Sequence, residues 1–181
     1  MKFLLFNNIP KNILGDVNSI KIGESVTIGD RCMIHCAGLQ SNFPTVIGDN
    51  VVLGAGSILH GCTVENDSLI GDGAQVMDGA KVSRKSILLA GSLLPQGKEL
   101  PSGQVWGGIP AQYIREITQD DLANIQALVQ ENLSLSVEHQ KECSKTWQII
   151  EEEEYVHDQI ESRSSYYYRR LSPEVTNIYP N

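Results

Sequence analysis

Aliphatic residues recur along the first part of the chain at intervals of six, often with glycine behind them. The series runs Ile22-Gly23, Ile28-Gly29 and Ile34-His35, then, after a gap, Ile47-Gly48, Leu53-Gly54 and Leu59-His60. One step of five leads to Val64, and the interval returns to six through Ile70, Val76, Val82, Leu88, Leu94 and Leu100. A period of six suits neither an amphipathic helix nor a hairpin of alternating strands. Short strands in a sandwich would need loops of varying length. The pattern therefore predicts an all-β solenoid, a parallel β-helix of hexapeptide repeats in which each hexad makes one short strand and one corner and three hexads make a coil.

The irregular steps carry information. Ile34 to Ile47 is one hexad plus seven residues, so Ala37 to Thr45, with Asn42-Phe43-Pro44, is expected to leave the coil as a loop. Across that loop Ile34, Ile47, Leu53 and Leu59 make three strand steps, one full coil. His35 and His60 each follow an inward aliphatic by one position, so they should stack on one outer face about 4.8 Å apart along the coil axis. Two histidines so placed could share a metal. After Gly107-Gly108-Ile109-Pro110 the period changes. Thr118 with Asp120 and Asp121 is a helix start, and Leu122, Ile125, Leu128 and Val129 supply an apolar stripe. The organisation read from the chain is a β-helix over 1–110, N-terminally short, a helix packing on it over 111–145, and an acidic, aromatic extension over 146–181.

Composition sharpens this division. All 16 glycines lie between Gly15 and Gly108, and of the 11 aromatics only Phe43 lies between Phe6 and Trp106. A prism narrow enough to hold one aliphatic per strand leaves no room for rings, and its corners favour glycine. Residues 1–108 carry 8 Lys+Arg and 9 Asp+Glu, net −1, and residues 109–181 carry 6 and 13, net −7, which together make the overall −8. The acidity therefore belongs to the tail. Without a basic stripe nucleic acid is not expected as a partner, and no apolar run reaches the length of a membrane span. Cys32, Cys36, Cys62 and Cys143 form no CxxC and suggest reduced thiols. The Glu151 to Glu154 run reads as a solvated helix face. Trp147 and Tyr166, Tyr167 and Tyr168, beside Arg169-Arg170, read as contacts for another subunit.

Four strings carry a more specific likeness: Gly15-Asp16-Val17-Asn18-Ser19-Ile20, Val46-Ile47-Gly48-Asp49-Asn50, His60-Gly61-Cys62-Thr63-Val64 and Val105-Trp106-Gly107-Gly108-Ile109-Pro110-Ala111. Over roughly residues 14–130 the chain resembles the gamma-class carbonic anhydrases, above all the mitochondrial type found on respiratory complex I. The resemblance implies a left-handed β-helix assembled as a trimer. Its active sites lie between protomers, where three histidines, two from one chain and one from its neighbour, hold zinc with a water as the reactive group. Three neutral imidazoles leave an open position at which the metal lowers the water's pKa toward 7.

Carried over by position, the two same-chain ligands fall on His35 and His60, and the third falls on Ala55, which cannot bind a metal. The family's arginine before Gly-Asp is Leu14, its asparagine is Thr27, and its catalytic-type glutamine is Gly29. Asp16 remains, as an interface ion-pair partner. Cys62, two positions after His60, and Cys32 and Cys36, flanking His35, allow a His/Cys site in principle, though corner burial is the simpler reading. His139 and His157 are expected to be solvent-exposed. Relatives have more hexads upstream of Gly15, so the N-terminal end of this prism is expected to need a cap.

The resemblance implies a catalytically inactive structural subunit in a heterotrimer of gamma carbonic anhydrase-like chains. That trimer would attach to membrane-arm subunits of complex I, peripheral to the membrane on the matrix side of the mitochondrial inner membrane. No cofactor is expected, zinc only where a neighbouring subunit completes the site. The alternatives are a zinc-dependent carbonic anhydrase completed in that way, a hexapeptide acyltransferase using one histidine as general base, and a β-helical scaffold in a cytoskeletal motor adaptor.

Overall fold

The computed structural model describes residues 4–5, 12–15, 17–38, 43–150, 155–157 and 160. In chain order the strands are β1 (Leu4–Leu5), β2 (Asn12–Leu14), β3 (Ile20–Ile22), β4 (Thr27–Ile28), β5 (Met33–His35), β6 (Thr45–Ile47), β7 (Val52–Leu53), β8 (Ile58–His60) and β9 (Thr63–Val64). There follow β10 (Leu69–Ile70), β11 (Gln75–Val76), β12 (Lys81–Val82), β13 (Ile87–Leu88), β14 (Leu93–Leu94), β15 (Glu99–Leu100), β16 (Gln104–Gly107), β17 (Gln112–Glu116) and the helix α1 (Gln119–Cys143). Every third strand joins the same sheet. The three sheets run β1-β4-β7-β10-β13-β16-β17, β2-β5-β8-β11-β14 and β3-β6-β9-β12-β15. All pairings are parallel except β16 with β17, so the predicted parallel β-helix is what the chain forms.

The twelve inward aliphatics from Ile28 to Leu100 are each at most 2% exposed, and Ile22, at the end of the stack, is half-buried. Each contributes about 1.5–3 kcal/mol on burial, and the stack is the main source of cohesion in a fold with strands only two or three residues long. Two residues beyond the inward aliphatic, an Asp or Asn side chain reaches back to the coil above. Asp49 Oδ1 accepts the Glu24 N–H at 2.8 Å, Asn66 Oδ1 the Asp49 N–H at 3.1 Å and Asp72 Oδ1 the Ala55 N–H at 2.8 Å. The Ile-Gly-Asp rhythm follows from this ladder, because a Cβ on Gly54 would overlap the Asp72 carboxylate.

Upstream of the regular hexads β1 and β2 pair with β4 and β5, placing Ile13 at the inward register above Ile34, where it is still 40% exposed. At the other end Gly108 to Ala111 connects β16 to β17, an antiparallel strand that no hexad announces. Thr45, placed in the excursion by the count, is instead the buried first residue of β6, and Ala37 N–H donates to Phe43 O at 3.2 Å across the base of the loop.

The start of α1 is as the sequence suggests. Thr118 Oγ1 accepts the Asp121 N–H at 3.2 Å while Asp121 Oδ2 accepts the Thr118 N–H at 2.8 Å, a reciprocal cap. Ile125 packs with Ile87 and Val105 on the outside of the first sheet, and Val129 is buried. Leu128, expected on the same stripe, is 38% exposed. At about 100° per residue it lies about 80° from the midline between Ile125 and Val129.

The chain forms two compact units, Met1–His139 and Gln140–Asn181. In the second, Trp147 is 71% exposed and Ile149, Tyr155, Val156 and Ile160 are exposed as well. No helix among the described residues is long and apolar enough to cross a membrane.

Candidate functional site

The outer surfaces of the three sheets differ in chemistry. The first is covered by α1. The third carries Lys81 between Glu65 and Glu99, at 3.0 and 3.6 Å, and the lysine holds the Glu65 carboxyl below its ordinary range. The second presents half-buried Met33 and Ile58, the exposed Gln75 and half-buried Leu93 in one row, and beside them the two histidines.

His35 ends β5 and His60 ends β8, and the two are direct register partners, as the count of strand steps requires. Their ring centroids are 5.0 Å apart with planes inclined by 32°, and His35 Nδ1 lies 3.0 Å from His60 Nε2. His60 Nδ1 meets the carboxylate of Asp78, which follows β11 one coil further on. Both members of that contact are about three-quarters buried, with side chains 28% and 24% exposed.

Ala55 is in the turn after β7, on a different corner from the histidines, as its phase implies. Leu14 is the register partner of His35 in the coil above. Thr27 is 4% exposed, and its hydroxyl has no hydrogen-bond partner among the described residues. Gly29 is confined, since a Cβ there would lie 2.6 Å from the Ala55 nitrogen, so no side chain fits without movement of the next corner. Asp16, Tyr166, Tyr167 and Tyr168 lie outside the described residues. His157 is exposed, whereas His139 is half-buried rather than fully solvated.

The cysteines join no metal-binding group among the described residues of this chain. Cys32, Cys36 and Cys62 are buried. Burial pushes the Cys62 thiol up to about 12, with the Asp78 charge adding to the effect. Cys32 Sγ points inward to Gly54 O at 3.1 Å. Among the described residues no group of three His, Cys, Asp or Glu could hold a metal ion. Two imidazoles, one with its Nε2 already facing its neighbour's ring nitrogen, do not fit a three-histidine zinc centre within this chain.

Two acidic residues were overlooked in the sequence. Asp78 stands two positions after the inward Val76, the phase that Asp49 and Asp72 use for the backbone ladder. Opposite it, however, is the shortened corner at Gly61, and its carboxylate reaches His60 instead. Asp30 has the same phase, and one of its carboxylate oxygens is buried with no hydrogen-bond partner among the described residues.

Comparison with known proteins agrees with this architecture. Residues 44–78 match the family model described as bacterial transferase hexapeptide (six repeats). The chain is 36% identical over 142 residues to gamma carbonic anhydrase 2, mitochondrial, of Arabidopsis thaliana, covering 77% of this chain and 51% of that one. It is 49% identical over 113 residues to a probable carbonic anhydrase of Methanocaldococcus jannaschii, covering 62% and 69%. Among solved structures, the hexapeptide transferase family protein from Anaplasma phagocytophilum superposes with a TM-score of 0.65 at 37% identity, covering 70% of this chain and 72% of that one. The chain spans about half the length of the eukaryotic curated relatives it matches.

Proposed function

The chain belongs to the gamma-class carbonic anhydrase-like family of left-handed hexapeptide-repeat β-helices, and from that premise we propose that it is a non-catalytic, structural subunit of a trimer built with other chains of the family. The observation that carries this reading is the state of the metal position. Ala55 stands where the third imidazole is required, and the remaining pair is engaged with itself and with Asp78. Leu14, Thr27 and Gly29 further remove the polar groups that would orient water and bicarbonate. The uncharged second face, with Met33 and Ile58 beside the histidines and Gln75 between Ile58 and Leu93, supports subunit contact there, because the other two faces are covered or charged.

The mitochondrial name of the Arabidopsis relative supports placement in that organelle. The finer reading is attachment to the membrane arm of complex I on the matrix side of the inner membrane, with the acidic, aromatic tail gripping neighbours. It rests on the likeness to the complex I type together with the exposed Trp147.

The spacing of the histidine rings favours a second reading. A neighbouring chain that keeps a histidine at the position of Ala55 would complete a three-imidazole set with His35 and His60, giving a live carbonic anhydrase site at that one interface. Native isolation through a tag on this chain tests both. Family members and respiratory subunits in the eluate, with no zinc at the interface bearing His35 and His60, fit the structural subunit. Zinc at that interface with carbon dioxide hydration fits the completed site. An eluate without respiratory subunits removes the complex I assignment.

A further inference from the structure

We propose that the cavity between the first turns of α1 and the corner joining the third sheet to the first is a binding site for a small zwitterion, a free α-amino acid with an apolar side chain. The cavity holds about 340 Å³, within the span of small-molecule sites, about 300–1,000 Å³. Asp67 and Lys85 form its wall on the corner side. Asp67 stands two residues before Leu69 in β10 and Lys85 two before Ile87 in β13. Leu69 and Ile87 are register partners, so the two charged residues occupy equivalent tips of successive coils, about 4.8 Å apart along the axis. Both tips have left-handed backbone, with φ of 57° and 54°. Each is pinned from beneath by the next residue: Ser68 Oγ donates to Ser83 O at 3.1 Å and Ser86 Oγ to Pro101 O at 2.8 Å.

A carboxylate and an ammonium on adjacent tips are placed to pair, yet Lys85 forms no ion pair among the described residues. The Asp67 carboxylate is held by Asn50, whose Nδ2 donates to Oδ1 at 3.1 Å, and Oδ2 is left for another donor. The helix does not answer the two charges either. Gln119, Ala123 and Gln126, at i, i+4 and i+7, form the flank of α1 that lines the cavity, and none of them is charged. Asp121 is engaged by Arg115 and Asp120 takes no part in the lining. Leu122 and Ile125 give the cavity an apolar floor, Ile125 being fixed against Ile87 and Val105, and the small Ala123 leaves the space open. An α-amino acid carries its ammonium and carboxylate on one carbon. Its ammonium would donate to Asp67 Oδ2, its carboxylate would accept from Lys85 Nζ, and its side chain would cover Leu122 and Ile125. A ligand with one charge would leave Asp67 or Lys85 unanswered, so discrimination rests on both. Ala55 and the two histidines stand at the other two corners of the prism, so this site neither needs nor supports the non-catalytic reading.

The test is a titration of the 15N-labelled full chain near neutral pH, followed by proton–nitrogen correlation NMR, with free leucine and two analogues of the same skeleton, 4-methylpentanoate and isopentylamine. Leucine should produce saturable shifts at the amides of Lys85, Ala123 and Gln126, and each single-charge analogue should bind at least about tenfold more weakly. Asp67→Asn and Lys85→Asn, in which asparagine suits the left-handed backbone, should each weaken leucine by at least about tenfold. Ala123→Leu should abolish binding with no change of charge, by filling the cavity. The proposal is overturned by an absence of saturable shifts with leucine, by 4-methylpentanoate or isopentylamine binding as well as leucine, or by affinity that survives Ala123→Leu. The analogue series uses the unaltered chain, so it decides the matter even where a substitution unfolds the protein.

Discussion

His35 Nδ1 lies 3.0 Å from His60 Nε2, and the opposite nitrogen of the His60 ring meets the Asp78 carboxylate. Removing the middle member leaves a largely buried carboxylate without a donor, which costs about 2 kcal/mol. His60→Ala should therefore lower the stability measured by urea unfolding by about that amount, and Asp78→Ala should do the same. Because the two groups share one contact, the double variant should be less destabilised than the sum by about 1 kcal/mol. Strict additivity would show that they do not interact in solution.

The shortened corner that places His60 beside Asp78 depends on a glycine. Gly61 has a φ of +53°, and a Cβ there would lie 2.7 Å from the Cβ of Ala37. Gly56 has a similar φ of +68° but open space around it. Gly56→Ala should cost about 1 kcal/mol from the left-handed backbone alone. Gly61→Ala should cost about 3 kcal/mol, because overpacking against the neighbouring coil is added. Equal losses in urea unfolding would mean that the corner relaxes freely.

These contrasts show which parts of the fold could be counted from residues and which could not. The inward phase was legible because a narrow prism admits one aliphatic per strand, so Ile28 to Leu100 announce themselves every six residues. The register of His35 with His60 followed from the same count. β1, β2 and β17 obey no hexad, since they are specified by pairing to strands already present. Asp78 was hidden by its ordinariness: it has the phase of Asp49 and Asp72, and only the five-residue step before Val64 diverts it to a side chain. Leu128 was misplaced because a stripe of four apolar residues is wider than the surface that Ile87 and Val105 offer to Ile125.

The start of α1 should carry a defined pH signature. The Arg115 guanidinium, and after it the Thr118 backbone N–H, hold the Asp121 carboxyl well below the usual carboxylate range. A depressed folded-state value stabilises the fold above the unfolded carboxylate pKa, near 4, and that stabilisation is lost as pH falls from there toward the folded value. Asp121→Asn should thus be less stable than the parent by about 1 kcal/mol at pH 7. The difference in urea midpoint should shrink steadily below about pH 4. A pH-independent difference would assign the effect to packing.

Thiol chemistry should separate the four cysteines. Cys143 is exposed, whereas Cys32, Cys36 and Cys62 are buried and burial pushes the Cys62 thiol up to about 12. Iodoacetamide at mildly alkaline pH should label the native chain at Cys143 alone, with the other three reacting only after unfolding, as read by peptide mass spectrometry. Early labelling of Cys62 would mean that the corner around Gly61 opens.

The last prediction concerns Ala55. It is not among the residues with left-handed backbone, and its N–H is held by Asp72, so the turn accepts a larger side chain without a change of conformation. Ala55→His would present the missing imidazole, and in an assembly of identical chains that ring would face the His35–His60 pair of the next copy. Zinc content by elemental analysis should rise from substoichiometric toward about one per chain, the stoichiometry of a three-imidazole site at each interface. The metal must break the His35–His60 hydrogen bond to bind, but Asp78 remains in place to orient His60, as carboxylates behind metal-bound imidazoles commonly do. Carbon dioxide hydration should nevertheless stay low, because Leu14 and Thr27 still lack the family's polar groups and Gly29 has no space for a glutamine. Full hydration activity from this single change would show that those positions do not limit the chemistry. An unaltered chain already loaded with zinc would place the third ligand somewhere other than the position of Ala55.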